Sequence, residues 1–229
     1  MLIISLDKDD MIKLVIFDLD GTLINSIGDI ANSANCALKK YGFPEHPTNA
    51  YNFFVGDGIN KLFERALPKN ENTSENILII RKFFVEHYKK HDTDYSKPYN
   101  DILQLLKSLQ NQNVLLAVAS NKYHEATFKL VNHFFSEIKF AAVLGQCDGT
   151  PLKPDPTIVN NILSIAGVTR KETLYVGDSG VDMQTAINSE ITACGVTWGF
   201  RPRSELEQYN PAYLVDEPKE IEMLINSIS

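Results

Sequence analysis

Two rhythms of hydrophobic residues divide this chain. From residue 12 to residue 17 the side chains are apolar apart from Lys13, as expected of a strand buried on both faces of a parallel sheet. Between residues 26 and 96 the spacing becomes helical and no buried strand is predicted. Ile27, Ile30, Ala31, Ala34, Ala37 and Leu38 recur at three- and four-residue steps, which predicts an amphipathic helix ending near Gly42. Pro44 and Pro47 then mark a loop. A second helix is predicted from Gly58 through Ile59, Leu62, Phe63 and Ala66 to Pro68. A third, beyond the polar stretch 69–74, carries Ile77, Ile80, Phe83, Phe84 and Tyr88.

From residue 98 short apolar runs alternate with helical segments. Strands are predicted at 114–119, 140–144, 174–176 and 192–196, with an edge strand at 212–215. Helices are predicted at 101–109, 125–135, 181–188 and 218–227. Another opens at Pro154-Asp155-Pro156, with Asp155 as its N-cap and Pro156 in its first turn. Alternation of this kind predicts an α/β fold built on a doubly wound parallel sheet. The expected organisation is a core of residues 1–24 and 98–229, with residues 25–97 inserted as an all-helical domain.

The chain has 229 residues, 44% hydrophobic and 22% charged, the balance of a globular protein. A net charge of -7 and a pI near 5.3 argue against a general nucleic-acid binder. No apolar run reaches the roughly 18 residues of a membrane span. Residues 1–6 are apolar, have no basic residue before them and run into Asp7, Asp9 and Asp10, which does not fit a secretory signal. Residues 1–10 are expected to be dispensable, since Met11 directly precedes the first strand. Cys36, Cys147 and Cys194 are odd in number and widely spaced, so free, buried or half-buried thiols in a reducing cytoplasm are expected.

The candidate chemistry lies where apolar runs stop. The first ends in Asp18-Leu19-Asp20-Gly21-Thr22. Strand alternation sends Asp18 and Asp20 the same way, close enough to share a cation, and Gly21 lets the chain turn. Ligands of open α/β sheets sit outside the carboxyl ends of the strands. Three further sites follow: Ser120-Asn121 after the second strand, Lys153 in Leu-Lys-Pro-Asp-Pro, and Gly177-Asp178-Ser179-Gly180-Val181-Asp182 after the fourth.

This order of motifs resembles the haloacid dehalogenase-like superfamily, most of whose members are magnesium-dependent phosphatases. The resemblance implies a Rossmann-like core with a helical cap of the first cap class. It implies that Asp18 is the nucleophile, forming an aspartyl-phosphate, and that Asp20 is the general acid and base. Ser120, Asn121 and Lys153 are then expected to hold the phosphoryl oxygens. Mg2+ is expected on the Asp18 and Asp178 carboxylates and the Asp20 main-chain carbonyl, with Asp182 orienting that shell or holding Lys153. Within that superfamily, an acid at position 20 implies phosphoester hydrolysis or phosphomutase activity rather than dehalogenation or phosphonate cleavage. From Asp18-to-Asn25 through Val55-Gly-Asp-Gly-Ile59 to the stretch 175–199 the chain is similar to the phosphoglycolate phosphatase-like subfamily, although Asn25 and Ser189-Glu190 depart from its pattern.

In the insertion, Gly56-Asp57-Gly58 is the candidate substrate loop, since free N–H groups at a helix start favour anions; an ordinary inter-helix turn is the alternative. Arg65 reads either as a partner for a substrate carboxylate or as a solvated helix residue. His87 and His91 have a metal-compatible spacing but no third ligand. Other readings are a sugar phosphomutase, a pyrophosphatase, a nucleotidase or a receiver-type signalling module. The expected partner is a small phosphorylated metabolite, with no nucleic acid and no membrane.

Overall fold

The computed structural model describes residues 11–228; the expectation for residues 1–10 lies outside them. Among the described residues eight strands occur, in chain order β1 (Leu14–Phe17), β2 (Ile24–Asn25), β3 (Lys97–Pro98), β4 (Leu115–Tyr123), β5 (Phe140–Gln146), β6 (Thr173–Gly177), β7 (Thr192–Val196) and β8 (Tyr213–Val215). Six form one sheet in the order β5-β4-β1-β6-β7-β8. Every pairing in it is parallel, so the α/β doubly wound sheet expected from the alternation is the fold observed.

β1 is central, with β4 on one side and β6 on the other. Its four residues are all fully buried. Val15 and Phe17 enter one core with Leu105, Val118, Leu174 and Ile221. Leu14 and Ile16 enter the other with Val159, Ile162, Tyr175 and Met183. Both faces of the strand are covered, which is why its sequence shows no polar alternation. At roughly 1.5–3 kcal/mol per buried large apolar side chain, this segment anchors whatever follows it. The chain leaves β1 toward β4 and β5, then returns to β6 on the opposite side. The crevice at the carboxyl end of β1 is thus the topological switch point.

Residues 26–96 start and finish at one place. β2 and β3 pair antiparallel, Ile24 opposite Pro98 and Asn25 opposite Lys97. Beside them the buried Asp29 carboxylate accepts from the Tyr95 and Ser96 N–H groups at 2.9 and 2.8 Å and from Ser96 Oγ at 2.5 Å. The segment between holds helices Ile27–Lys40, Gly58–Ala66 and Ser74–His91. They share a core of Ile30, Ala34, Leu38, Phe63, Ile80 and Phe84.

The sequence reading is corrected in four places. A turn of 3-10 helix (Thr48–Ala50) and a short helix (Tyr51–Phe54) occupy the stretch read as loop; Tyr51 is fully buried and pins it. β4 runs on through Ser120, Asn121 and Lys122, beyond the predicted end at 119, with a register shift between Ala119 and Tyr123. Asp155 is not an N-cap: the helix is Thr157–Ala166, capped at Pro156, and Asp155 Oδ1 accepts from Thr157 N–H at 2.9 Å. Cys147 is exposed, whereas Cys36 is half-buried and Cys194 buried. Among the described residues no helix is long and apolar enough to cross a membrane.

Candidate active site

The carboxyl ends of β1, β4 and β6 converge on a cavity of about 1090 Å3 lined by Asp18, Asp20, Ser120, Lys153 and Asp178. Its other wall comes from the helical segment, including Gly56, Gly58 and Tyr88.

Asp18 follows β1 directly and is 7% exposed. Its Oδ1 accepts from Lys153 Nζ at 2.7 Å. Among the described residues no hydrogen bond reaches Oδ2, so one oxygen is anchored and the other is left to the cavity. Lys153 is only 4% exposed and spends its ammonium on four acceptors: Asp18, Asp182 Oδ1 at 2.8 Å, the Ala119 carbonyl at 2.9 Å and Tyr175 OH at 3.0 Å. Asp182 Oδ2 accepts from Ser179 N–H at 3.1 Å and Ser179 Oγ at 2.6 Å. Both Asp182 oxygens are therefore occupied within the protein.

Asp178 is held by Thr22 Oγ1 at 3.2 Å and by the Phe200 N–H at 2.7 Å. Gly21 packs against it so tightly that a Cβ there would lie 2.4 Å from Asp178 Oδ2. The φ of +99° at Gly21 is also one that side chains disfavour. Asp18, Asp178 and Asp182 each offer an oxygen within 4.8 Å of the others. Three clustered carboxylates face one ammonium, leaving an excess of about two negative charges. Burial first, with Asp182 and Asp20 nearby and Lys153 opposing, pushes the Asp18 carboxyl up to about 7. Burial, then Asp182 and Asp18, raises Asp178 well above the usual carboxylate range. Burial works against the Lys153 charge, but Asp18 and Asp182 carry its pKa well above normal.

Buried hard oxygen donors with two uncompensated charges fit a divalent cation such as Mg2+. Of Asp178 and Asp182, both with engaged oxygens, only Asp182 meets Lys153, which fits it for fixing that ammonium.

Asp20 points to a different partner. Lys122 Nζ donates to both its oxygens, at 3.0 and 2.8 Å, and Ser26 Oγ donates to Oδ1 at 2.5 Å. Burial works against the Lys122 charge and Asp20 more than offsets it, so the ammonium is held above its ordinary pKa. Sequence reasoning missed this pair: β4 is irregular between Ala119 and Tyr123, and nothing near Lys122 in the chain names Asp20 as its partner. Tyr175, inside an apolar run, and the Phe200 N–H, a backbone group, gave no sequence signal.

Ser120 is 2% exposed; its Oγ accepts from Lys122 N–H at 3.2 Å, leaving its hydroxyl proton free. Asn121 ties the two walls together. Its Nδ2 donates to the Gly56 carbonyl at 2.9 Å and to the Lys153 carbonyl at 3.0 Å, and its Oδ1 accepts from Lys153 N–H at 2.8 Å. Gly56 adopts φ +112°, and Arg201 donates to the neighbouring Val55 carbonyl at 3.0 Å. Asp57 does not line the cavity; its carboxylate is engaged by Arg65. Arg65 also donates to the Phe54 carbonyl at 3.1 Å, so it braces its own helical segment. His87 stacks on His91 at 4.4 Å and meets Ser33 Oγ at 3.0 Å, while His91 meets Asp94 at 2.8 Å. The two histidines are not part of the three-acid cluster.

Residues 15–196 match the family model of haloacid dehalogenase-like hydrolases. The chain is 29% identical over 215 residues to phosphoglycolate phosphatase of Aquifex aeolicus, covering 94% of this chain and 97% of that protein. It is 30% identical to phosphoglycolate phosphatase of Aliivibrio fischeri, covering 91% and 94%. It also superposes on the crystal structure of a predicted phosphoglycolate phosphatase from Haemophilus somnus with TM-score 0.86 and 28% identity, covering 93% and 97%.

Proposed function

The chain belongs to the haloacid dehalogenase-like hydrolases and is a phosphatase of that family, and we propose that its substrate is phosphoglycolate or a closely similar small phosphate monoester. The observation that carries the mechanism is the asymmetry of Asp18: one oxygen fixed by Lys153, the other presented to the cavity.

In this reading the Asp18 carboxylate attacks phosphorus in line and becomes an aspartyl-phosphate. Lys153 spans Asp18 and Asp182, so its charge is already in place where equatorial oxygen charge develops. The Ser120 hydroxyl and the Asn121 N–H bind the remaining phosphoryl oxygens. Asp20, positioned by Lys122 and Ser26, enters the first step as the carboxylic acid, gives its proton to the departing alkoxide and, now ionised, takes one back from the hydrolytic water. Asp18 and Asp178, with the Asp20 carbonyl, would hold Mg2+. When bound, the cation supplies the positive charge that this carboxylate cluster lacks and that a phosphate dianion requires. Residues 25–97 act as a cap hinged on the β2–β3 ribbon, and Asn121–Gly56 and Arg201–Val55 hold it over the site. Three thiols without disulfide partners support a reducing cytoplasmic setting, and the acidic charge supports a metabolite rather than nucleic acid as partner.

A second reading, a larger monoester such as a sugar phosphate, is favoured by one observation. The cavity of about 1090 Å3 exceeds the needs of a two-carbon substrate.

The test is phosphate release from phosphoglycolate, pyrophosphate, hexose phosphates and nucleoside monophosphates, with magnesium and with chelator. Phosphoglycolate is expected to lead, and turnover to fall at least tenfold on chelation. Equal turnover with and without metal would contradict the mechanism.

Metal binding is also expected to show in stability. A ligand at about 100 times its dissociation constant adds roughly 2.7 kcal/mol, which for a chain of this size shifts Tm by about 5–10 °C. Magnesium should raise the Tm of the metal-free protein by that amount, and Asp178→Asn should abolish most of the rise. The same increase in the variant would remove Asp178 from the metal site.

Changing Gly56 to Val is expected to alter the ranking of substrates more than magnesium affinity. Position 56 lies in the cap at a φ of +112°, away from the carboxylate cluster. Equal losses on every substrate together with weaker metal binding would argue against a substrate role for this turn.

A further inference from the structure

Two buried side-chain polar atoms among the described residues lack a hydrogen-bond partner: the hydroxyls of Tyr88 and Ser189. Ser189 closes the helix Gly180–Asn188 and does not line the cavity. Tyr88 does line it, although it is only 5% exposed. A buried donor without an acceptor is costly, and such a group inside a catalytic cavity calls for a ligand.

The ring is held in place from several directions. Tyr88 stacks on Phe84, one turn earlier in the helix, with centroids 5.4 Å apart and planes 10° from parallel. The end of that helix is latched to the core, because Lys129 Nζ donates to both oxygens of the buried Asp92 at 2.7 and 2.8 Å and to the Lys89 carbonyl at 2.9 Å. Lys122 Nζ lies 4.7 Å from the Tyr88 ring centroid. An ammonium can only donate, so Lys122 cannot accept the phenolic proton however close it comes. Burial keeps the phenol above its ordinary pKa, so Tyr88 is a donor throughout the neutral range.

The phosphoryl group is served from the core side of the cavity, through Asp18, Ser120, Asn121 and Lys153. Tyr88 belongs to the cap helix, so its partner lies on the other end of the substrate. There the Tyr88 hydroxyl stands beside the Lys122 ammonium, which is itself paired with Asp20. That pairing suits an anionic oxygen better than an apolar group.

We propose that the Tyr88 hydroxyl is a specificity-determining donor that binds a carboxylate on the alcohol portion of the substrate, selecting phosphate esters of short hydroxy acids. The inference rests on the phosphatase reading above and adds the residue that distinguishes substrates within it.

The experiment compares wild type and Tyr88→Phe on phosphoglycolate and on ethyl phosphate, which matches its two-carbon frame without the carboxylate. The wild type is expected to prefer phosphoglycolate. The variant should lose about 10- to 100-fold in kcat/KM on phosphoglycolate, mainly through KM, as for a lost hydrogen bond to a charged group. On ethyl phosphate it should lose less than about threefold. Equal losses on both substrates, or none on either, would overturn the role of Tyr88 while leaving the phosphatase reading intact. A wild type without preference would overturn both the role and the hydroxy-acid substrate. If neither substrate is turned over, the short hydroxy-acid substrate and the role of Tyr88 both fail, and the larger monoester becomes the substrate reading. Calorimetric Kd values of phosphoglycolate for Asp18→Asn with and without Tyr88→Phe test the same contact without turnover, since equal values contradict the proposal.

Discussion

Asp18→Asn is expected to reduce turnover of phosphoglycolate by about 10⁵- to 10⁶-fold, the scale on which removing a covalent nucleophile acts. No other carboxylate can take over. Asp178 is clamped by Thr22 and Phe200, Asp182 by Lys153 and Ser179, and Asp20 by Lys122 and Ser26. The fold should survive, because Lys153 keeps Asp182, the Ala119 carbonyl and Tyr175 as acceptors. A stability effect of opposite sign should accompany the loss. Burial raises the Asp18 pKa from 3.8 to about 7 in the metal-free protein. An acid whose pKa is raised by folding costs stability once the pH exceeds its unfolded value, and the cost is complete above the folded one. Metal-free Asp18→Asn should therefore melt higher than wild type at pH 8, with the difference fading between pH 7 and pH 4. Steady-state kinetics and melting curves over that range check both halves. Turnover within tenfold of wild type would exclude Asp18 as nucleophile, and a lower melting point at pH 8 would contradict the electrostatic account.

What the sequence made legible follows from what each feature rests on. β1 could be read because both its faces are buried, so Leu14–Phe17 has no reason to carry a polar residue. Asp18 and Asp178 could be read because each directly follows an apolar strand and stands in a motif that resembles the superfamily's. The pairing of Asp20 with Lys122 could not, since 102 residues separate them and no local spacing encodes which lysine will face which acid. The β2–β3 ribbon escaped because two residues per strand are too few to show an alternation. The short helices at 48–54 escaped because prolines before them read as loop punctuation, whereas the buried Tyr51 holds that stretch through tertiary contacts. Asp155 was misplaced by one register step. Its side chain does accept a helix-start N–H, that of Thr157, but Pro156 takes helical dihedrals and is itself the cap. Tyr88 looked like one more core aromatic of an amphipathic helix, and only the position of its hydroxyl distinguishes it from Phe84.

The second large effect is expected at Asp20. Asp20→Asn should slow turnover of alkyl phosphates by roughly 10²- to 10⁴-fold, the usual contribution of a positioned general acid and base. Asparagine keeps the main chain and hence the carbonyl offered to the cation, so magnesium affinity should barely change. It also retains an acceptor for Lys122 and Ser26, which keeps the side chain in place while removing its ability to exchange a proton. The loss should shrink on an aryl phosphate, because a phenoxide leaves with little protonation. Its second half-reaction, hydrolysis of the aspartyl-phosphate, still lacks a base, so a phosphoenzyme should accumulate and be trappable with the aryl substrate alone. Asp178→Asn offers the contrast, with weakened magnesium binding as its main defect and the same loss on both kinds of leaving group. Magnesium titrations of both variants on ethyl phosphate and phenyl phosphate separate these outcomes. If Asp20→Asn behaves as Asp178→Asn does, with a metal-affinity defect indifferent to the leaving group, its side chain belongs to the metal site and the proton must travel by another route.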